Sequence, residues 1–421
     1  MRVLYDVSLL GKGHRGEIPR TGVFRAVEET ARALSRAGGV DLAFGAPGLL
    51  QPMGDALAYL AGSADLAGVP VIGAPGAPTL ARMLFSGGRR PGAGGPWRWA
   101  RDRAEGLAHR VAGEANRRIP EGVDVFHSPG LELPPRARPD SPVQRFLTVY
   151  DLIAVRFPQF FEPEVVHGVK NVILGSLLPD DWVVADSENT RADLCAFRPD
   201  LDPARVFVTP LAADPARFHP VTDRAALEAV RGRYGIPDGP YLLSLNTLEP
   251  RKNLDRLVRS FARFAREEGV DAASLVLVGA TGWKTETIFR ALGEARCQGA
   301  RIVLAGFVAD ADLAALYSGA TAFVYPSLYE GFGLPPLEAM QCGVPVITSN
   351  NSSLPEVVGG AGIMVDPTDD DALSQAMLDV YRDAALRERM RARSLAQAAG
   401  FSWERCARQT LAAYRVAVAG R

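Results

Sequence analysis

Short runs of apolar, β-branched residues alternate along almost the whole chain with stretches whose apolar residues recur every three to four positions. The first pattern suits strands buried on both faces, and the second suits helices that cover them. Together they predict parallel sheets layered with helices. In the first half, residues 2–10 and 40–44 read as strands flanking a helix near 23–37, with further strands at 123–128, 145–151, 181–187 and 205–210. Residues 211–240 carry Pro215, Pro220, Pro237 and Pro240 and read as an interdomain connection. A second series then begins, with strands at 241–246, 275–280, 301–306, 322–327 and 344–349 and an amphipathic helix at 253–268. One more helix is expected over 401–420. The expected fold is α/β, with two doubly wound domains facing across a cleft. Such sheets bind ligands beyond the C-terminal ends of their strands.

A chain of 421 residues has room for two or three domains. Lys and Arg total 47 against 48 Asp and Glu, a net charge of −1, which lacks the basic excess a nucleic-acid partner requires. The first ten residues, MRVLYDVSLL, read as a strand rather than a signal peptide, and no apolar run reaches 18 residues. A cytoplasmic location is therefore expected. Cys195, Cys297, Cys342 and Cys406 are widely spaced, which suits reduced thiols better than a disulfide framework or a zinc site. Residues 86–106, rich in Gly, Arg and Trp, break the alternation. They read either as a surface loop, or as a segment contacting acceptor or the inner membrane face. In the second case Trp97 and Trp99 would anchor it, with Arg89, Arg90, Arg98 and Arg101 supplying charge.

Two patterns imitate known sites. Gly11, Gly13 and Gly16 spell GxGxxG after the first strand, which raises an NAD-dependent oxidoreductase as the rival reading. The context fails: a loop runs on to Thr21 through Pro19, and no acid ends the second strand. Asp310 and Asp312 form a DxD that could hold a metal, but they precede an apolar-periodic run and are explained as the cap and first turn of a helix. No metal is expected at the site.

The richest segment is VYPSLYEGFGLPPLEAMQCGVPVIT, residues 324–348. A strand ends at Ser327 and a glycine loop follows. Pro335 and Pro336 then open a helix that carries Glu338. Gly331 and Gly333 permit close backbone approach, and the amides near Gly333 and Leu334 offer a cradle for phosphate. Glu330 and Glu338 flank it, and suit sugar and ribose hydroxyls. Arg251 and Lys252 follow the first strand of the second series, where an Arg-Lys pair can neutralise a diphosphate.

The runs EPRKN and LYEGFGLPPLEAMQCGVPVITSNNSSLPEV resemble the GT-B retaining glycosyltransferases, a group that includes bacterial mannosyltransferases and sucrose-phosphate synthases. Glu330 and Glu338 match the group's E-x7-E motif. The likeness is close over most of 240–400 and looser at 21–34, 125–129 and 148–161. It implies a GT-B fold of two Rossmann-like domains: an acceptor-binding domain at 1–215, a donor-binding domain at 216–398, and a helix at 399–421 returning to the first. It implies that Glu330 contacts the donor sugar and Glu338 the ribose, while Arg251 and Lys252 stabilise the leaving diphosphate. Gly22 would lie near the diphosphate and His127 near the reacting sugar. Gly331, Phe332, Gly333 and Leu334 would form the cradle, with Gly306, Phe307 and Val308 lining the base pocket. The implied activity is metal-independent hexosyl transfer from a nucleoside-diphosphate sugar, GDP before UDP, to a glycan, lipid-linked or small-molecule acceptor. A catalytically dead binding module of the same fold is the third alternative. Loss of Glu338, Arg251 or Lys252 would mark it, and all three are present. Asn246, where glycine is usual in this group, and the long loop after Gly11 are departures.

Overall fold

The computed structural model describes residues 1–18, 22–47, 50–73, 77–79, 119–136, 141–267, 270 and 272–420. The Trp- and Arg-rich segment 86–106 and the run Pro19–Thr21 lie outside the described residues.

Two parallel six-stranded sheets organise the molecule. The first holds β1 (Arg2–Asp6), β2 (Asp41–Gly45), β3 (Val125–Pro129), β4 (Gln144–Val149), β5 (Trp182–Ala185) and β6 (Val206–Val208), in the order β2-β1-β3-β4-β5-β6. The second holds β7 (Tyr241–Leu245), β8 (Ser274–Val278), β9 (Ile302–Gly306), β10 (Ala322–Tyr325), β11 (Val346–Ser349) and β12 (Ile363–Val365), in the order β12-β11-β10-β7-β8-β9. Strands such as Ser274–Val278 are buried at every position, as sheets covered on both faces require. The strand order reverses between β1 and β3 and again between β7 and β10, and these switch points open the crevices in which doubly wound sheets bind ligands. Arg251 and Lys252 follow β7, and Glu330 to Gly333 follow β10, so both segments meet at the second switch point.

Three expectations need correction. The loop assigned to the GxGxxG run is largely the helix α1 (Ser8–Arg15), with Gly16 as its left-handed C-cap at φ 78°. Gly11 lies against α3 (Leu50–Ala61), where a Cβ would stand 2.8 Å from backbone atoms of Ala56 and Pro52. A Cβ on Gly13 would stand 2.2 Å from the ring of Phe24, in α2 (Val23–Ala37). These glycines therefore pack helices together and do not turn a chain around a pyrophosphate. Micromolar NADH should give no saturable quenching of protein fluorescence, and saturable quenching would restore the dinucleotide reading.

Second, the proline-rich connection contains a helix, Arg224–Arg233, in its proline-free middle, capped by Asp223 accepting from the Ala225 amide at 3.0 Å. Third, β12 adds an edge strand of three residues, too short to stand out as a pattern.

The C-terminal helix, Trp403–Ala419, starts beyond the second sheet and packs on α2 beside the first. Its buried residues Trp403, Cys406, Ala407, Thr410, Leu411, Tyr414 and Ala417 recur at helical spacing and form its inner face. Among the described residues, no helix is long and apolar enough to cross a membrane.

Candidate functional site

The chain after β10 is held by its own side chains before it reaches the next helix. Ser353 Oγ donates to the carbonyls of Glu330 and Phe332 at 3.1 and 2.7 Å, and Ser352 Oγ accepts from the Glu330 amide at 3.1 Å. Gly333, at φ 116°, is the N-cap of the cradle helix Leu334–Gln341, and Pro335 and Pro336 occupy its first turn. No side chain caps this helix end, whose amides and dipole favour an anion.

Beside the cradle lies a buried cluster of charge. Lys252 Nζ donates to Glu330 Oε1 at 2.6 Å and to the Tyr325 hydroxyl at 2.7 Å. The Arg251 guanidinium lies 2.8 Å from Glu330 Oε2 and 2.5 Å from Glu249 Oε1, and donates to the Tyr329 carbonyl at 2.8 Å. Ser327 Oγ donates to Glu330 Oε1 at 2.5 Å. Burial alone would raise the Glu330 carboxyl, but the charges of Arg251 and Lys252 outweigh it and bring the pKa down to about 2. Burial, with the Arg251 charge, lowers the Lys252 ammonium despite Glu330. Glu330 is thus the counter-ion of the two cations, a pairing its distance in sequence does not reveal.

Glu338, one turn into the cradle helix, is buried and accepts from the Tyr317 hydroxyl at 3.0 Å. Burial raises its carboxyl above the usual range, against the pull of Arg25. Arg25 comes from α2 in the first half of the chain and approaches Glu338 Oε1 at 3.3 Å and Asp310 Oδ1 at 2.5 Å. Sequence reasoning passed over it. The available signal was a cation in the first turn of a helix, where the dipole disfavours positive charge unless an acid faces it.

The two halves meet over Gly331. Its carbonyl accepts from Ser187 Oγ at 2.6 Å and Thr190 Oγ1 at 3.2 Å. A Cβ there would stand 2.0 Å from the Tyr150 carbonyl oxygen and 2.8 Å from Asp151 Cβ. Glu356 accepts from the amides of Glu188 and Asn189 at 2.8 Å each, at the N-terminus of the helix Glu188–Phe197. Lys284 Nζ donates to the Gln159 carbonyl at 2.8 Å, and Trp283 Nε1 to the Phe160 carbonyl at 2.5 Å. These contacts join the two domains.

The remaining expected residues are placed as follows. Gly22, at φ 52°, is the exposed N-cap of α2. Gly306, at φ 65°, ends β9, followed by Phe307, 75% exposed, and buried Val308. Phe332 is buried against Phe401 with ring centroids 6.0 Å apart, so its side chain packs the core and only its backbone belongs to the cradle. Leu334 is half-buried at the start of the cradle helix.

His127 differs from expectation. It is 1% exposed, with Nδ1 2.5 Å from the Tyr414 hydroxyl and Nε2 2.7 Å from Thr148 Oγ1. Both ring nitrogens are engaged by protein hydroxyls, and burial lowers its pKa to about 3. In this arrangement His127 ties the C-terminal helix to β3 and β4 and offers no edge to a sugar.

Asp310 and Asp312 both lie in the first turn of the helix Asp310–Ser318, whose N-cap is Ala309. Asp310 faces Arg25 and Arg217, while Asp312 faces Arg233 at 2.5 Å and accepts from the Tyr234 hydroxyl at 2.6 Å. Among the described residues, no group of three or more His, Cys, Asp or Glu side chains could hold a metal ion.

Residues 228–396 match the family described as "Glycosyl transferases group 1". The chain is 36% identical over 292 residues to the O-antigen chain mannosyltransferase B of Escherichia coli, covering 69% of this chain and 74% of that protein. It is 36% identical over 177 residues to the serotype-specific mannosyltransferase WbdA of Escherichia coli, covering 42% of this chain and 22% of that protein. Among solved structures, the sucrose-phosphate synthase of Thermosynechococcus elongatus superposes with a TM-score of 0.65 at 20% identity, covering 100% of both chains. At that identity the likeness speaks for the GT-B fold alone.

Proposed function

The chain belongs to the group 1 glycosyltransferases, and from that premise we propose that it transfers a mannose-type hexose from a GDP-sugar, with retention and without a metal. UDP-sugar is the second choice of donor. A glycan or lipid-linked glycan is the favoured acceptor, because the relative with the longest match quoted above is named for an O-antigen chain. The observation that carries the reading is the convergence of Arg251, Lys252 and Glu330 beside the uncapped N-terminus of the cradle helix at the β7/β10 switch point.

Each part has a task in this chemistry. Arg251 and Lys252 offset the charge that develops on the departing diphosphate, aided by the cradle amides. Glu330 orients those cations in the ligand-free protein and accepts from donor-sugar hydroxyls in the complex. Glu338 accepts from the ribose, and the backbone of Gly306 to Val308 lines the base. The acceptor oxygen forms its bond to the anomeric carbon on the face the diphosphate leaves, the carbon–phosphate-oxygen bond breaks, and the acceptor proton passes to that departing oxygen. No carboxylate nucleophile and no metal takes part. Closure over Gly331 excludes water that would otherwise hydrolyse the donor.

Calorimetry with GDP and UDP, with and without EDTA, tests the metal-independence directly. GDP should bind with unchanged affinity in EDTA, since arginine and lysine do the cationic work. Loss of binding in EDTA would return Asp310 and Asp312 to consideration. Incubation with GDP-mannose and an acceptor, followed by assignment of the product's anomeric configuration, tests retention, and an inverted product would reject the mechanism.

A further inference from the structure

Arg25 is an N-domain side chain placed against a C-domain carboxylate. Its guanidinium approaches Glu338 at 3.3 Å and Asp310 at 2.5 Å, and lies 6.0 Å from the Phe218 ring centroid. Among the described residues Arg25 Nε is buried without a hydrogen-bond partner, so their contacts do not fully use the side chain. Tyr317 holds the other oxygen of Glu338. One carboxylate is thus oriented from two sides, by a hydroxyl of its own domain and a cation of the other. The helix that carries Arg25 begins at Gly22, whose backbone faces no side chain within 4 Å of its Cβ position.

We infer that Arg25 is a positioning residue of the donor site: it reaches across the domain boundary to hold the Glu338 carboxylate ionised and oriented for the two ribose hydroxyls of the nucleotide. This rests on the functional reading above. Glu338 is buried, and a buried carboxyl without a cation tends to protonate and lose accepting capacity. The groups facing it are Arg25 from α2, Arg217 from the connection, Tyr317 and Asp310 from the helix Asp310–Ser318, and Cys342 beyond the end of its own helix. Burial and Asp310 oppose ionisation and leave the carboxyl above its ordinary range, and Arg25, Tyr317 and Arg217 limit that rise. The contact also ties ribose binding to the packing of the two domains, because Arg25 stands in one and Glu338 in the other.

The test is a binding cycle on the full chain, with GDP and UDP each compared with its 2′,3′-dideoxy analogue. Arg25→Met should weaken binding of the ribose form about ten-fold, the scale of a hydrogen bond to a charged group. It should leave dideoxy binding unchanged, and have no further effect in a Glu338→Gln background. Arg25→Lys, which keeps the charge but not the fork, should recover part of the loss. Removing the cation raises the Glu338 carboxyl further. The Arg25→Met variant should therefore lose ribose-form affinity more steeply than wild type as pH falls, since the accepting carboxylate is present above its pKa and lost below it. A purely structural role moves none of these contrasts. Equal weakening of ribose and dideoxy forms, or additive effects of the Arg25 and Glu338 changes, overturns the inference and leaves the glycosyltransferase reading standing. If the wild-type protein binds neither GDP nor UDP, the functional reading falls and the inference with it.

Discussion

Lys252→Met is expected to lower turnover of GDP-mannose by about 10²–10³-fold, in a protein that remains folded. Lys252 is buried with its ammonium on Glu330 and Tyr325. Its replacement removes one of two cations available to a departing diphosphate. The effect should fall on kcat more than on KM, because the charge on the bridging oxygen grows toward the transition state. The fold should tolerate the change, since Glu330 keeps Arg251 at 2.8 Å and Ser327 at 2.5 Å. Arg251→Met is the instructive contrast. It would leave both Glu249 and Glu330 without their arginine, and breaking a buried pair in this way costs about 3–5 kcal/mol of stability. The measurements are the rate of GDP release and the melting temperature of each variant. A folded Lys252→Met enzyme within about ten-fold of wild-type kcat would remove Lys252 from the leaving-group role.

Gly331→Ala should also cost about 10²-fold in turnover, through geometry rather than charge, since a shift near 1 Å at a reacting centre carries a penalty of that size. The added methyl would stand 2.0 Å from the Tyr150 carbonyl oxygen, a main-chain atom that cannot swing aside. The loop after β4 must then retreat from the loop after β10, and the bonds from Ser187 and Thr190 to the Gly331 carbonyl lengthen with it. Nucleotide affinity should fall less than turnover, by up to about the ten-fold that parting Arg25 from Glu338 would cost, because Arg251, Lys252 and Glu338 themselves all follow or belong to elements of the second sheet. Small-angle scattering should show a larger radius of gyration. Normal turnover with an unchanged radius would mean that the contact over Gly331 is not the working arrangement.

The strands of both sheets were largely legible because buried parallel strands announce themselves as apolar runs, and the residues after β7 and β10 carry unusual charge between glycines and prolines, while the strand order that makes the switch points was not. The legible part stops where partners come from opposite halves of the chain. Arg25 and Glu338 are 313 positions apart, and no local pattern links them. His127 failed for the opposite reason. The resemblance put it near the reacting sugar, while the neighbours that engage its ring, Thr148 and Tyr414, lie on other elements. The glycines of α1 failed because small residues serve a tight turn and a close helix crossing equally well. Only the packing against Ala56 and Phe24 tells the two apart.

The return of the C-terminal helix to the first sheet has a consequence for biosynthesis. Trp403–Ala419 covers α2 and closes over His127 and Phe146, yet it is translated after both sheets. At about 5–20 residues per second, the stretch between β6 and this helix takes roughly ten to forty seconds to emerge. Throughout that interval the nascent first half presents an apolar face with no lid, and the second half can finish its own sheet first. The leading portion therefore completes its core only after the second sheet has been made. A stop codon within this helix would leave a product whose earlier-made half, rather than its truncated one, is the part recognised by chaperones and proteases.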